Sequence, residues 1–484
     1  MHKHFVINIV SRICLIVCFV MTLPLAWAFY DAPYSRETIS FVMSIIIGII
    51  IALACLCIFR VKKEDKKRIN AKDGLAIVGL SWIFLSLLGA LPLFLSGVVT
   101  TFTDAFFEIV SGFTTTGATI FTDIEALPRG ILFWRSLTHW LGGMGIIVLY
   151  VALLPALGTN AFQLYKAEAP GITTERIEPQ IKETAKSLWG IYFLFTFLEV
   201  LLLMGGNMPV FDALCHTFGT IATGGFSTKN ASIGAYGPYI QWVITLFMFL
   251  AGTNFVLHYQ LLKGRPKALF YNEEFRIYIV SIMVIVPVFA VILMNTNLSG
   301  QPFRDAAFHV ISILTTTGYT TTNFDLWPHA LRFILVLMMF VGACGGSTGG
   351  GMKLIRVILS IKVALRSVVQ TVFPNAVLPI KFNAKALPDK LVLAVISYFV
   401  VFILLFFFGT TVFLITESCD LVTALTASIS ALSNIGPGLA KVGATQNFAW
   451  VSCPGKWLLT FLMLAGRLEL YSILILLVPA TWKK

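Results

Sequence analysis

The feature that most constrains this chain is the recurrence of apolar runs about 20 residues long, each enough to cross a hydrocarbon core of roughly 30 Å as a helix. The first occupies residues 13–30, a second residues 39–59, and others follow to the C-terminal end. Composition agrees, because 57% of the 484 residues are hydrophobic and 12% charged, about half the charge density of a soluble domain. The 35 Lys and Arg with the 23 Asp and Glu are too few to coat a soluble protein of this length. The expectation is an all-α polytopic membrane protein. His2, Lys3, His4 and Arg12 precede a first run that ends in Ala26-Trp27-Ala28, which looks like a secretory cleavage site. A second span follows within one short loop, so the first is read as an uncleaved helix.

Basic residues cluster in alternate loops: Arg60, Lys62, Lys63, Lys66, Lys67, Arg68 and Lys72, then Lys166, Arg176, Lys182 and Lys186, then Lys263, Arg265, Lys267 and Arg276, then Lys362, Arg366, Lys381, Lys385 and Lys390. Those loops are expected in the cytoplasm, with both termini, Lys483 and Lys484 included. The net charge of +12 is thereby explained as topology. No basic stretch carries the interleaved aromatics of a base-stacking surface, so the bilayer is an expected partner and nucleic acid is not. The eight cysteines show no Cys-x-x-Cys pair and no zinc spacing. They read as packing residues, with a Cys419–Cys453 pairing left open.

An internal repeat then appears. Asp104 precedes Gly117, Asp212 precedes Gly225 and Asp305 precedes Gly318 by 13 residues each time, and Asp420 precedes Gly436 by 16. Every Asp opens a short apolar segment, and every Gly closes a small-residue turn: Thr114–Ala118, Ala222–Phe226, Thr315–Tyr319 and Asn434–Gly438. A full apolar span is expected before and after each unit, with the Asp as helix N-cap. A half-length helix followed by irregular backbone at membrane depth is tolerated only where that backbone lines a polar cavity or is buried in protein. Four such units suggest four half-helices aiming their partly negative C-terminal ends at one axis. Rings of carbonyl oxygens that replace a hydration shell are a known physical solution for selecting K⁺.

These motifs, together with Gly466-Arg467-Leu468-Glu469, resemble the Trk/Ktr/HKT superfamily of cation transporters, in its TrkH/TrkG-type membrane subunit of bacterial K⁺ uptake systems. The resemblance covers essentially the whole chain. It implies two N-terminal transmembrane helices (1–72) and four membrane–pore-helix–membrane repeats (73–186, 187–275, 276–388 and 389–484) around a pseudo-fourfold, K⁺-channel-like pore. It places a backbone filter for K⁺ and Rb⁺ at Thr115, Thr116 and Gly117, at Thr223, Gly224 and Gly225, at Thr316, Thr317 and Gly318, and at Asn434, Ile435 and Gly436. It also implies residence in the bacterial inner membrane, a homodimer, and a TrkA-type cytosolic regulatory protein on which any nucleotide of the NAD or ATP class is bound. No covalent cofactor is implied, and bound K⁺ is cargo.

Two further features belong to this reading. The run 342–351 interrupts the span after the third turn, where so many glycines break a helix. Its spacing mimics a phosphate loop, but Met352 stands where lysine is required. A flexible intramembrane gate at Gly345, Gly346, Gly349, Gly350 and Gly351 is the expectation. Arg467 lies in the last apolar span, where an ionised group faces a cavity or a partner; it is expected below the filter, as a barrier to cations. A carrier coupled to H⁺ or Na⁺ is the competing class, with Glu108 and Glu199 as its intramembrane acids. An enzyme is not expected, since the seven histidines show no metal-ligand spacing and no nucleophile elbow accompanies them.

Overall fold

The computed structural model describes residues 2–60, 71–153, 181–296 and 298–482. The basic residues Lys62, Lys63, Lys66, Lys67, Arg68, Lys166, Arg176, Lys483 and Lys484 lie outside the described residues. Apart from a two-residue antiparallel pairing of Lys381–Phe382 with Lys385–Ala386, the regular elements described are helices.

The N-terminal part consists of α1 (Lys3–Val20), α2 (Thr22–Asp31) and α3 (Arg36–Ile58). Grouped by the expected repeats, the first holds α4 (Ala71–Ser96), α5 (Phe102–Phe113) and α6 (Arg129–Leu153), and the second α7 (Ile181–Gly205), α8 (Val210–Ile221), α9 (Pro238–Ala251), α10 (Phe255–Leu262) and the short α11 (Lys267–Tyr271), although the expected bounds at 187 and 276 fall inside α7 and the helix that opens at Glu273. The third comprises α12 (Glu273–Thr296), α13 (Pro302–Leu314), α14 (His329–Val341) and α15 (Leu354–Val372). The fourth comprises α16 (Asp389–Thr416), α17 (Leu421–Ser433), α18 (Cys453–Arg467), α19 (Tyr471–Leu477) and α20 (Pro479–Trp482).

Among the described residues, six stretches are long and apolar enough to cross a membrane: Lys3–Asp31, Arg36–Ile58, Lys72–Ser96, Ala185–Gly205, Glu273–Thr296 and Asp389–Thr416. They are the N-terminal helices and the first helix of every repeat. In repeat one α6 is a continuous helix of 25 residues after the turn, and in repeat three the helix breaks at the glycine run as expected; the second spans of repeats two and four correct the expectation of a full helix after each turn. In repeat two, α9 and α10 meet at 97°. In repeat three, Gly342, at φ 76°, ends α14 before the glycine run. In repeat four, α18 stops at Arg467, and Glu469 and Leu470 take positive φ of 59° and 54°.

Four short helices, α5, α8, α13 and α17, hold the interior. Each packs against the second span of the preceding repeat: α8 against α6, α13 against α9, α17 against α14, and α5 against α18. Asp is the N-cap only in α17, where Asp420 Oδ2 accepts from Thr423 N at 3.1 Å. The others start earlier because other residues open them. Thr101 caps α5, Pro209 stands at the N-cap of α8, and Pro302 takes the first turn of α13, where a missing N–H costs nothing. Asp104, Asp212 and Asp305 then fall in the first turn, still favourable at the positive end of the helix dipole.

Two acids dock the N-terminal helices on repeat one. Glu37 Oε1 accepts from Ile131 N at 2.8 Å, satisfying a backbone donor at the start of α6. Asp31 pairs with Arg129 beside it.

Candidate functional site

The four turns that follow the short helices share one backbone conformation. Thr115, Thr223, Thr316 and Asn434 have φ of 53°, 54°, 59° and 56°, and Gly117, Gly225, Gly318 and Gly436, two residues on, have φ of 80°, 81°, 79° and 101°. Gly225 rather than Gly224 therefore matches the other glycines. Three threonines in a left-handed conformation are uncommon for a β-branched residue and signal a backbone over-determined by its surroundings.

Those surroundings are the neighbouring turns. A Cβ added to Gly117 collides with Gly224 O, one on Gly225 with Thr317 O, and one on Gly318 with Ile435 O; one on Gly436 lies 2.7 Å from Thr116 O. Each turn thus abuts the backbone of the next, and the fourth returns to the first. A side-chain bond closes the same junction, with Asn434 Nδ2 donating to Thr116 Oγ1 at 3.0 Å. Within turns one and three, Thr114 and Thr116, and Thr315 and Thr317, pair their hydroxyls at 2.8 Å. Above the ring lies a polar cavity of about 150 Å³ bordered by Gly117, Gly225, Gly318 and Gly436. Arg135 also borders it, held by Glu108 Oε1 at 2.7 Å and stacked on the Phe226 ring.

On the other side of the ring lies the glycine run. Gly350 N donates to Thr316 Oγ1 at 2.6 Å, Gly351 N to Ser433 O at 3.0 Å, and Thr348 Oγ1 to Ile221 O at 3.0 Å. The run therefore touches the ends of α8, α13 and α17. Arg467, fully buried, donates from Nη1 to Thr348 O at 2.6 Å and from Nη2 to Gly142 O at 3.3 Å, which links the run to repeat one. Gly346 O accepts from Phe255 N at 3.0 Å across the break between α9 and α10.

Several residues that sequence reasoning passed over hold this run. Glu274, buried in the first turn of α12, accepts from Gly345 N at 2.7 Å and from Ile355 N at 3.0 Å, fastening both ends of the run with one oxygen. Lys353, at φ 72°, folds back so that Nζ donates to Gly349 O at 2.6 Å. Arg356 pairs with Glu469 and lies 3.9 Å from the Tyr398 ring centre. Charged residues near a glycine run are the one sequence signal that points to Lys353 and Arg356; nothing local points to Glu274. No group of three metal-binding side chains occurs among the described residues, and Cys419 and Cys453 are both free thiols.

Residues 41–484 match the TrkH family, described as cation transport proteins. The chain is 38% identical to the Trk system potassium uptake protein TrkH of Salmonella typhimurium over 493 aligned positions, covering 100% of both chains. It is 31% identical to the Trk system potassium uptake protein TrkG of Escherichia coli K12, covering 99% of each. The crystal structure of the potassium transporter TrkH from Vibrio parahaemolyticus superimposes with a TM-score of 0.89 at 36% identity, over 100% of both chains. The chain is thus a transport protein rather than an enzyme, and it belongs to the TrkH family of cation transport proteins.

Proposed function

We propose that this chain takes up K⁺, and Rb⁺ with it, across the bacterial inner membrane through a channel-like pore. Its filter is the pseudo-fourfold ring of Thr115-Thr116-Gly117, Thr223-Gly224-Gly225, Thr316-Thr317-Gly318 and Asn434-Ile435-Gly436. The observation that carries this reading is the closed cyclic contact of the four glycine turns. Four backbone segments in one conformation around one axis offer a cation carbonyl oxygens without formal charge. The relatives named for potassium uptake agree with that cargo.

The gate in this reading is the run containing Gly345, Gly346, Gly349, Gly350 and Gly351, with Arg467 as the positive charge beneath the filter. Their bonds to three pore-helix ends and to Gly142 support it. The four repeats at 73–186, 187–275, 276–388 and 389–484, the cytoplasmic termini, the homodimer and the TrkA-type nucleotide-binding partner complete the reading. A Trk-system membrane subunit implies a regulatory partner.

A coupled carrier is kept as a second reading on one observation. Glu199 is fully buried in α7, and neither carboxylate oxygen accepts a hydrogen bond from the described residues. Rb⁺ flux into liposomes holding only this chain separates the two. A passive pore equilibrates Rb⁺ without a pH gradient, with K⁺ competing and Na⁺ competing poorly. Uptake that requires the gradient, and stops in Glu199→Gln, overturns the pore in favour of the carrier.

A further inference from the structure

Away from the ring, a cavity of about 510 Å³ separates the N-terminal helices from repeat one. Val10 and Cys14 of α1, Ala52 of α3 and Phe59 just after it, Leu80 and Leu91 of α4, and Phe102 at the start of α5 line it. From Leu80 to Leu91 it follows eleven residues of helix, about 16 Å at 1.5 Å per residue. That is close to one leaflet, half of a hydrocarbon core of roughly 30 Å.

One mouth of this slot is basic. Lys3, His4 and Arg60 are exposed there, and the His4 ring meets the Phe59 ring edge-on at 5.3 Å. Asp73 is the acid beside them, accepting from His2 N at 2.9 Å. Arg12 is also exposed, although it stands nine residues into α1, about 13 Å along a membrane span. A guanidinium facing lipid at that depth is expensive and turns toward the interface or an anion. Its side chain does run back one turn toward the basic mouth, with Nε donating to Asn8 Oδ1 at 3.0 Å, while Asn8 Nδ2 donates to the Phe59 carbonyl at 3.2 Å. The two bonds tie the charge through Asn8 to the carbonyl of Phe59, a lining residue of the slot, and a basic pocket between transmembrane helices suits an anionic headgroup.

We propose that the slot holds one acyl chain of an anionic phospholipid whose phosphate is bound by Arg12, with Lys3 and Arg60 at the same mouth. The chain lies along α4 and reaches Phe102, so an anionic lipid wedges the N-terminal helices against the first pore helix. Alkylation of the thiols tests this on the full-length protein. Cys14 and Cys55 line the slot, whereas Cys57 is exposed beyond it and serves as the internal control. The protein is reconstituted in vesicles of phosphatidylcholine alone or of equal parts phosphatidylcholine and phosphatidylglycerol, then treated with a membrane-permeant maleimide. Phosphatidylglycerol is expected to slow labelling of Cys14 and Cys55 several-fold and to leave Cys57 unchanged. Arg12→Gln is expected to abolish the protection and Arg12→Lys to restore most of it. Equal labelling in the two vesicles overturns the proposal whatever the fate of the variants, as does protection that survives Arg12→Gln.

Discussion

The ring of turns and the run beneath it lie a hydrogen bond apart and are built on opposite plans. In the ring, four segments from four repeats take the same alternation of left-handed positions, and each leans on the next. Beneath it the repeats diverge: one second span bends by 97°, one gives way to glycines, and one stops at an arginine. An ion on an axis is coordinated equally from all sides only if its surroundings repeat. A barrier that must open needs a movable part, and in the proposed reading that part is the glycine run of repeat three. The contrast separates selection from gating on the proposed path, and each half can be perturbed alone.

The largest effect is expected in the ring. Gly318→Ser forces a side chain into a left-handed position against Ile435 O; strain of 1–3 kcal/mol is typical there, so Rb⁺ uptake and K⁺ preference are expected to fall by roughly tenfold or more. Gly436→Ala meets its neighbour at 2.7 Å and has more room, so a smaller loss is expected. Competition of Rb⁺ flux by Na⁺ measures both. A Gly318→Ser protein that still prefers K⁺ removes the ring from selection.

Shortening the run comes next and has the opposite sign. Deleting part of residues 345–350 is expected to raise basal flux with K⁺ preference retained, and Arg467→Ala, which removes the bonds to Thr348 O and Gly142 O, to raise it less. Unchanged or reduced conductance in a well-folded deletion contradicts the gate. Glu274→Gln sharpens the point, since the amide keeps one acceptor but weakens two charge-assisted bonds, each worth about 1.5–3 kcal/mol. Basal flux several-fold above wild type is expected, measured on the same liposomes; a Glu274→Gln pore as quiet as wild type means that the ends of the run are held elsewhere.

Much of the ring was legible in sequence because its parts are local: an apolar segment, a Thr/Gly turn and a fixed spacing from Asp to Gly. Arg467 and the glycine run were legible for the same reason, each being anomalous within its own span. The breaks in the second spans of repeats two and four were not, since apolar content reports that a segment avoids water and says nothing of whether its hydrogen bonds continue. The break at Gly252-Thr253-Asn254 depends on Asn254 accepting from Val256 N and on Phe255 reaching Gly346, 91 positions away. Glu274 was hidden likewise, 71 positions from Gly345. The Asp caps were misjudged because a proline or a threonine upstream begins the helix first.

The smallest expected effect tests whether the ring's outer rim is separable from the run below it. Asp325, in a short helical turn between α13 and α14, accepts from Ala440 N between α17 and α18 at 3.0 Å. Burial pushes its carboxyl above the ordinary value of 3.8, more than the Ala440 bond lowers it. The folded protein therefore keeps this proton at a pH where the unfolded chain has lost it, and the contribution to stability falls as pH rises from 3.8 through the raised value, then levels. Asp325→Asn retains an acceptor without the titration, so its melting temperature is expected to lose that slope while wild type keeps it. Basal flux at neutral pH is expected to stay at the wild-type level, because the bond joins two repeats above the ring and none of its atoms touches the run. A leak in Asp325→Asn comparable to that of Glu274→Gln would mean that the rim and the run move together.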